Sequence, residues 1–414
     1  MMRRPALVVL LLAALCSALQ ASERSADPQL LRPGSSLTNE QRLDWAVGRS
    51  FTHKPWVSAP ATTTARDGLG PWLNANSCLA CHPGNGQGQL PENGPGLVLR
   101  LPIDSPLGSQ LQDRALPGFS AEGRIHWQET LNGALRARRY TVIDQPTLAV
   151  SARLAPELRG VAALDQVRDA DIVAWADPDD LNGDGISGRP ALLPANEESG
   201  KARQLGRFGW KAAQPSLAEQ IAQAFAEDMG IDSSLRHSRR CDDPSLPPLQ
   251  QQRCQRASGA APGEDVEISE KLFNAVLLYF RGLSIPTATA TPHPAGKRLF
   301  HALDCAACHR PSLPLGDDAI QPYSDLLLHD MGEGLADTVA EGGAEGHEWR
   351  TAPLWGLGFR SRDPDNTRLL HDGRAGTIHE AILWHGGEAT ASVQRYRQLS
   401  AQDLNDLIRF LQEL

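Results

Sequence analysis

Aromatic side chains make up only 5% of the 414 residues. Large rings usually dominate core burial, so something other than aromatic side chains is expected to fill part of this core. Positive charge is also in short supply, with 40 Lys and Arg against 49 Asp and Glu. That deficit excludes nucleic acid as a partner, because phosphate backbones are bound by basic surfaces. Beyond the first 21 residues no apolar run approaches the roughly 20 residues of a spanning helix, so the chain is not membrane-spanning. Alternating strand patterns are few. The expected fold is therefore mainly α with long loops.

The start, MMRRPALVVLLLAALCSALQASE, has Arg3 and Arg4 ahead of a short apolar stretch from Ala6 to Leu19. It then reaches Ala21, a small residue suited to cleavage. Residues 1–21 read as a secretory signal peptide, which places the mature protein in the periplasm, an oxidising compartment. Removing Arg3 and Arg4 leaves 40 − 2 = 38 basic side chains against 49 acidic, a net charge of −11. Such a charge permits a basic partner protein and equally fits an ordinary acidic surface.

Seven cysteines are present, and Cys16 leaves with the signal. Cys78 and Cys81 stand in NSCLACH, and Cys305 and Cys308 in LDCAACH. Each pair is followed at once by a histidine, His82 or His309. Cys-x-x-Cys-His is the attachment signal of c-type haem. The two thiols add across the vinyl groups of one haem, and the histidine binds its iron as proximal ligand. Two motifs imply two covalently bound haem c groups. A zinc site is disfavoured, because ribbon ligands lie within about 20 residues of one another and these pairs are more than 200 apart. A thioredoxin-like disulfide would leave both histidines unexplained. The remaining pair, Cys241 and Cys254, is expected to form a disulfide worth about 3 kcal/mol in the chain-entropy model.

SLAEQI (216–221), running on to Met229-Gly230, parallels TIHEAI (377–382), running on to His385-Gly386. Both are helix openings that lead to an iron ligand followed by glycine. Met229 and His385 are the expected distal ligands, with Met331 and His329 as alternatives. DPDDLNGDGISG (177–188) sets Asp180, Asn182 and Asp184 at positions 1, 3 and 5 of a calcium loop, with Gly185 at position 6. The Glu of position 12 is replaced by Ala191, and Asp177 or Asp179 would have to compensate. Arg350 and Arg374 are candidates for pairing with haem propionates. Glu122 and Glu129 are acid–base candidates if the activity is that of a peroxidase.

The expected organisation is mainly α, two cytochrome c-like haem domains with long loops: an N-terminal arm over 22–65, a first haem domain with the inserted candidate calcium loop over 66–284, a linker over 285–294 and a second cytochrome c-like haem domain over 295–414. ISEKLFNAVLLYFRGL and SAQDLNDLIRFLQEL read as helices opened by Ser269 and Ser400.

PWVSAPATTTARDGLGPWLNANSCLACH, ADPDDLNGDGISGRP, LGRFGWKA, RTAPLWGLG and LHDGRAGTIHEAILWHGGEA together resemble the bacterial di-haem oxidoreductase family. The C-terminal part is more distantly similar to di-haem cytochrome c peroxidases. In those enzymes a segment beginning His-Asp-Gly leads to a distal methionine. By that resemblance His371-Asp372-Gly373 leads to His385, which implies a bis-histidine iron. The first domain departs from the peroxidases, since the nearest histidine downstream of His82 is His126. The resemblance implies a haem oxidoreductase that moves single electrons or reduces hydrogen peroxide.

Overall fold

The computed structural model describes residues 37–90, 95–195, 202–238, 241, 248–257, 265–286, 293–362 and 366–414. The signal segment and residues 287–292 of the expected linker lie outside these. The helices form where apolar residues recur at helical spacing behind a capping hydroxyl. Ser269 Oγ accepts from Leu272 N ahead of helix Glu270–Arg281. Ser400 does the same for Asp403 N ahead of Ala401–Gln412. Ser216 and Thr377 cap Leu217–Met229 and Ile378–Leu383 alike. The parallel between the two openings ends there, because the first helix runs 13 residues and the second 6. Met229 therefore ends its helix, whereas His385 follows the end of its own.

The expectation of a mainly α chain needs correction. The described residues hold 13 helices, 33% helix and 16% strand, which is a mixed composition. The strands form six two-stranded antiparallel ladders. Most are two to four residues long, too short for alternation to show in sequence. The exception is the hairpin Ile125–Asn132 with Leu135–Val142. Its first strand is exposed at most positions, so no apolar face announces it. Its turn does: Asn132 is followed by Gly133, whose φ of 62° suits the first central position of a two-residue turn.

The expected N-terminal arm contains the helix Asn39–His53, opened by a capping box between Thr38 and Gln41. It packs on Glu270–Arg281, with Trp45 Nε1 donating to Tyr279 O at 3.1 Å. One apolar cluster gathers Trp45, Phe225, Met229 and Phe273, and also takes in Leu313, Leu327 and Trp355 from beyond the linker. A second joins Phe300, Tyr323, Leu407 and Phe410. The long hairpin leans from the N-terminal half onto the C-terminal one. Arg138 Nη1 donates to Gly373 O, and Tyr140 Oη to Asp372 O.

Helix Pro294–Ala302 crosses the C-terminal helix at Gly296, where an added Cβ would lie 2.1 Å from Asp406 O. Backbone cannot yield there cheaply. Gly296→Ala is expected to cost about 1–3 kcal/mol, read as a lower thermal midpoint. An unchanged midpoint would mean that the crossing is looser than described.

Candidate functional site

Each Cys-x-x-Cys-His motif folds as one helical turn, Cys78–Cys81 and Cys305–Cys308. His82 N and His309 N close those turns onto Cys78 O and Cys305 O, both at 2.9 Å. The turn puts both thiols and the following imidazole on the wall of one cavity. The first cavity, about 140 Å³, is lined by Cys78, Cys81, His82 and Met229. The second, about 220 Å³, is lined by Cys305, Cys308, His309 and His385. A single water needs only about 10–15 Å³, so both spaces are made for something larger.

The imidazoles are held in one orientation. His82 Nδ1 donates to Pro156 O at 2.8 Å, His309 Nδ1 to Tyr323 O at 3.0 Å and His385 Nδ1 to Ala381 O at 2.7 Å. With Nδ1 occupied by a carbonyl, Nε2 is left as the ligating atom, the usual arrangement behind a metal-bound histidine. Burial lowers the pKa of all three, that of His309 to about 4, which keeps them in the neutral, ligating form. The rings of His309 and His385 face each other across the second cavity with centroids 6.5 Å apart. A metal sits about 2 Å from an imidazole nitrogen, so two rings on opposite sides of one ion have centroids roughly 6 Å apart. The donor set of the second cavity thus fits an iron between two histidines.

The thiols are poorly set up for disulfide exchange. Burial pushes Cys78 and Cys305 up to about 12, and raises Cys81 and Cys308 as well. A thiol held protonated in this way is a poor nucleophile. The two pairs line separate cavities, so the four cysteines share no single metal site.

Met229 is buried on the first cavity's wall, in the last turn of its helix. Met331 lines the second cavity with His385. His329 also lines it, yet both of its nitrogens are engaged, Nε2 with Asp325 at 2.9 Å and Nδ1 with Glu388 at 2.6 Å. Those carboxylates outweigh burial and raise its pKa well above 6.5, so the ring is an imidazolium with no lone pair for iron.

Other expected residues lie elsewhere. Glu122 accepts from Gln112 N and Glu129 pairs with Arg138, and neither lines either cavity. Arg374 is paired with Asp372 at 2.9 Å and is likewise absent from both walls. Arg350, by contrast, lines both cavities. Cys241 and Cys254 are joined, with Cα atoms 5.3 Å apart.

In the acidic loop, Asp180 accepts from Gly185 N, Asn182 from Asp184 N and Asp184 from Ile186 N. These side chains turn towards the loop's own backbone. Among the described residues, the group of His, Cys, Asp and Glu ligand atoms that lies within 4.8 Å is Cys308, Asp325 and His329, not this loop.

Trp210 and Arg360, which sequence reasoning missed as site residues, also line both cavities. Trp210 stands in LGRFGWKA, a stretch distinctive enough to mark without revealing what it separates. A third, polar space of about 110 Å³ adjoins the first cavity and shares His82, Trp210, Gln220 and Asp228 with it. Burial pushes Asp228 up to about 6, against a hydrogen bond from Gln110. Among the described residues no helix is long and apolar enough to cross a membrane.

No curated protein matches the chain. Among solved structures it is similar to the one titled Kuenenia stuttgartiensis hydrazine synthase pressurized with 20 bar xenon. The identity is 14% over 92% of this chain and 93% of that one, with a TM-score of 0.37. Residues 128–414, well over half of the chain, match the family described as "Di-haem oxidoreductase, putative peroxidase". The second Cys-x-x-Cys-His motif and His385 fall inside the matched stretch and the first motif precedes it. The chain is a member of the di-haem oxidoreductase family.

Proposed function

We propose that the protein is an exported di-haem c-type cytochrome that moves single electrons between redox partners in the periplasm, a small cytochrome being the partner type its acidic surface suits. The observation that carries this reading is the second cavity, where His309 and His385 stand 6.5 Å apart beside Cys305 and Cys308. Haem iron, when bound, supplies a one-electron redox change. Cys78 with Cys81 and Cys305 with Cys308 would hold the two haems through thioethers. His82, His309 and His385 would offer Nε2 to the irons, and Met229 its Sδ. Carbonyls of Pro156, Tyr323 and Ala381 keep the imidazoles aligned. His309 and His385, two neutral nitrogen donors, would leave an iron bound between them no ready opening, which suits electron transfer. A Met ligand on the first iron raises its potential relative to a His ligand. Trp210, on both walls, keeps packed protein between the two sites.

The polar space beside the first cavity favours a second reading, reduction of hydrogen peroxide. That reaction consumes H2O2, two protons and two electrons and gives two waters. Asp228, a carboxyl lining both spaces, replaces Glu122 and Glu129 as the acid–base candidate. Spectra of the purified protein with and without peroxide separate the two readings. Electron transfer predicts that peroxide leaves both resting haems low-spin and drives no turnover. Steady oxidation of a reduced small cytochrome by peroxide would make the enzyme reading the better one.

Calcium in the loop of Asp180, Asn182 and Asp184 belongs to the same proposal. Chelation is expected to lower the thermal midpoint and added calcium to restore it. An unchanged midpoint with no metal on elemental analysis would leave only a turn.

A further inference from the structure

Among the described residues, five arginines are almost fully buried: Arg100, Arg153, Arg159, Arg207 and Arg350. Four have a carboxylate within 4.0 Å. Arg100 pairs with Glu227, Arg153 with Asp337, Arg159 with Glu157 and Arg207 with Asp169. Arg350 has none. Its Nε donates to Gly209 O at 2.9 Å and its Nη1 to Thr351 O at 3.0 Å. No hydrogen bond reaches Nη2. Burial pulls its pKa down to about 10, and Asp325 is the one group that opposes the shift.

A buried guanidinium without a counter-charge is strongly unfavourable unless an anion is supplied. The position of Arg350 says where that anion comes from. It ends the strand Glu348–Arg350, and its N donates to Trp210 O at 2.9 Å, which fixes it in the partition between the two cavities. Arg350 lines both of them. Arg360 lines both as well, and it too has no carboxylate within 4.0 Å. Its Nη2 donates to Pro353 O at 3.1 Å, and its Nε has no partner. Glu157, the carboxylate that acts on Arg360 through space, is already taken by Nε and Nη2 of Arg159. Among the described residues, therefore, no carboxylate forms an ion pair with either of the partition's two cations. A haem brings two carboxylates on one edge, and guanidinium is the side chain whose fork matches them.

We propose that Arg350, supported by Arg360, is a binding site for haem propionates from both cavities at once, so that one guanidinium sets the potentials of the two haems together. This rests on the di-haem reading above. A cation beside an iron favours its reduced form, so a shared cation raises both midpoint potentials together.

The test is a potentiometric titration of the haem-loaded protein, with the two haems followed by their separate spectra. In Arg350→Gln both midpoints are expected to fall. In Arg350→Lys, which keeps the charge but not the fork, both fall by less. Arg374→Gln, on neither wall, should leave both in place. If the Gln variant fails to load both haems, the Lys variant decides, since it must still move the two midpoints in the same direction. A shift of one midpoint alone, or of neither, in a variant carrying both haems overturns the proposal and leaves the di-haem reading intact. Wild-type protein without covalent haem sinks that reading, and this one with it.

Discussion

His385→Ala should convert one of the two haems from low-spin to high-spin and leave the other unchanged. The second cavity offers little to replace the lost ligand. His329 is spent on Asp325 and Glu388, and its ring is protonated. Met331 is the remaining candidate on that wall. Methionine sulfur on ferric c-haem gives a weak near-infrared charge-transfer band that bis-histidine iron lacks. The band expected from Met229 should therefore vanish in Met229→Ala and survive in His385→Ala. A band that survives Met229→Ala but is lost in Met331→Ala would show that the ligands had been assigned to the wrong methionine. A second band appearing in His385→Ala would show Met331 moving in.

Cys78→Ala combined with Cys81→Ala should remove half of the covalent haem. The two pairs line separate cavities, and neither cavity borrows a thiol from the other. The pyridine haemochrome content per chain should fall from two to one, and the spectrum of the bis-histidine site should persist. Loss of both haems would mean that the cavities cannot fill independently. The apolar cluster shared across the linker, in which Leu313, Leu327 and Trp355 pack with N-terminal residues, would then be the reason.

What could be read from the chain followed from how local each feature is. The two attachment motifs are single helical turns, so their five residues contain all the geometry that matters. The capped helices at Ser269 and Ser400 were legible because apolar spacing and cap coincide. His385 could be picked out because it follows a short helix whose opening matches that of the helix ending in Met229. The long hairpin was not legible, since the exposed strand Ile125–Asn132 has no apolar face to give it away. Its Asn132-Gly133 turn was the available signal. Glu122 and Glu129 look plausible only while their distance from the haem sites is unknown. The choice of Arg374 failed for the same reason. Its carboxylate is two residues away, at Asp372, whereas the partition between the cavities is assembled from Trp210, Arg350, Ala352, Pro353 and Arg360. No periodicity relates residues so far apart. Scarce aromatics were a correct pointer to missing core volume only in the sense that two large cavities stand behind the cysteine motifs.

The central claim is that each Cys-x-x-Cys-His motif carries its own covalent haem. Intact-mass spectrometry of the denatured, mature protein tests it most directly, because denaturation strips any haem that is merely bound. The expected mass is that of the polypeptide without residues 1–21 plus two haem additions. A mass with no haem, or native protein whose metal is zinc in place of iron, would contradict it.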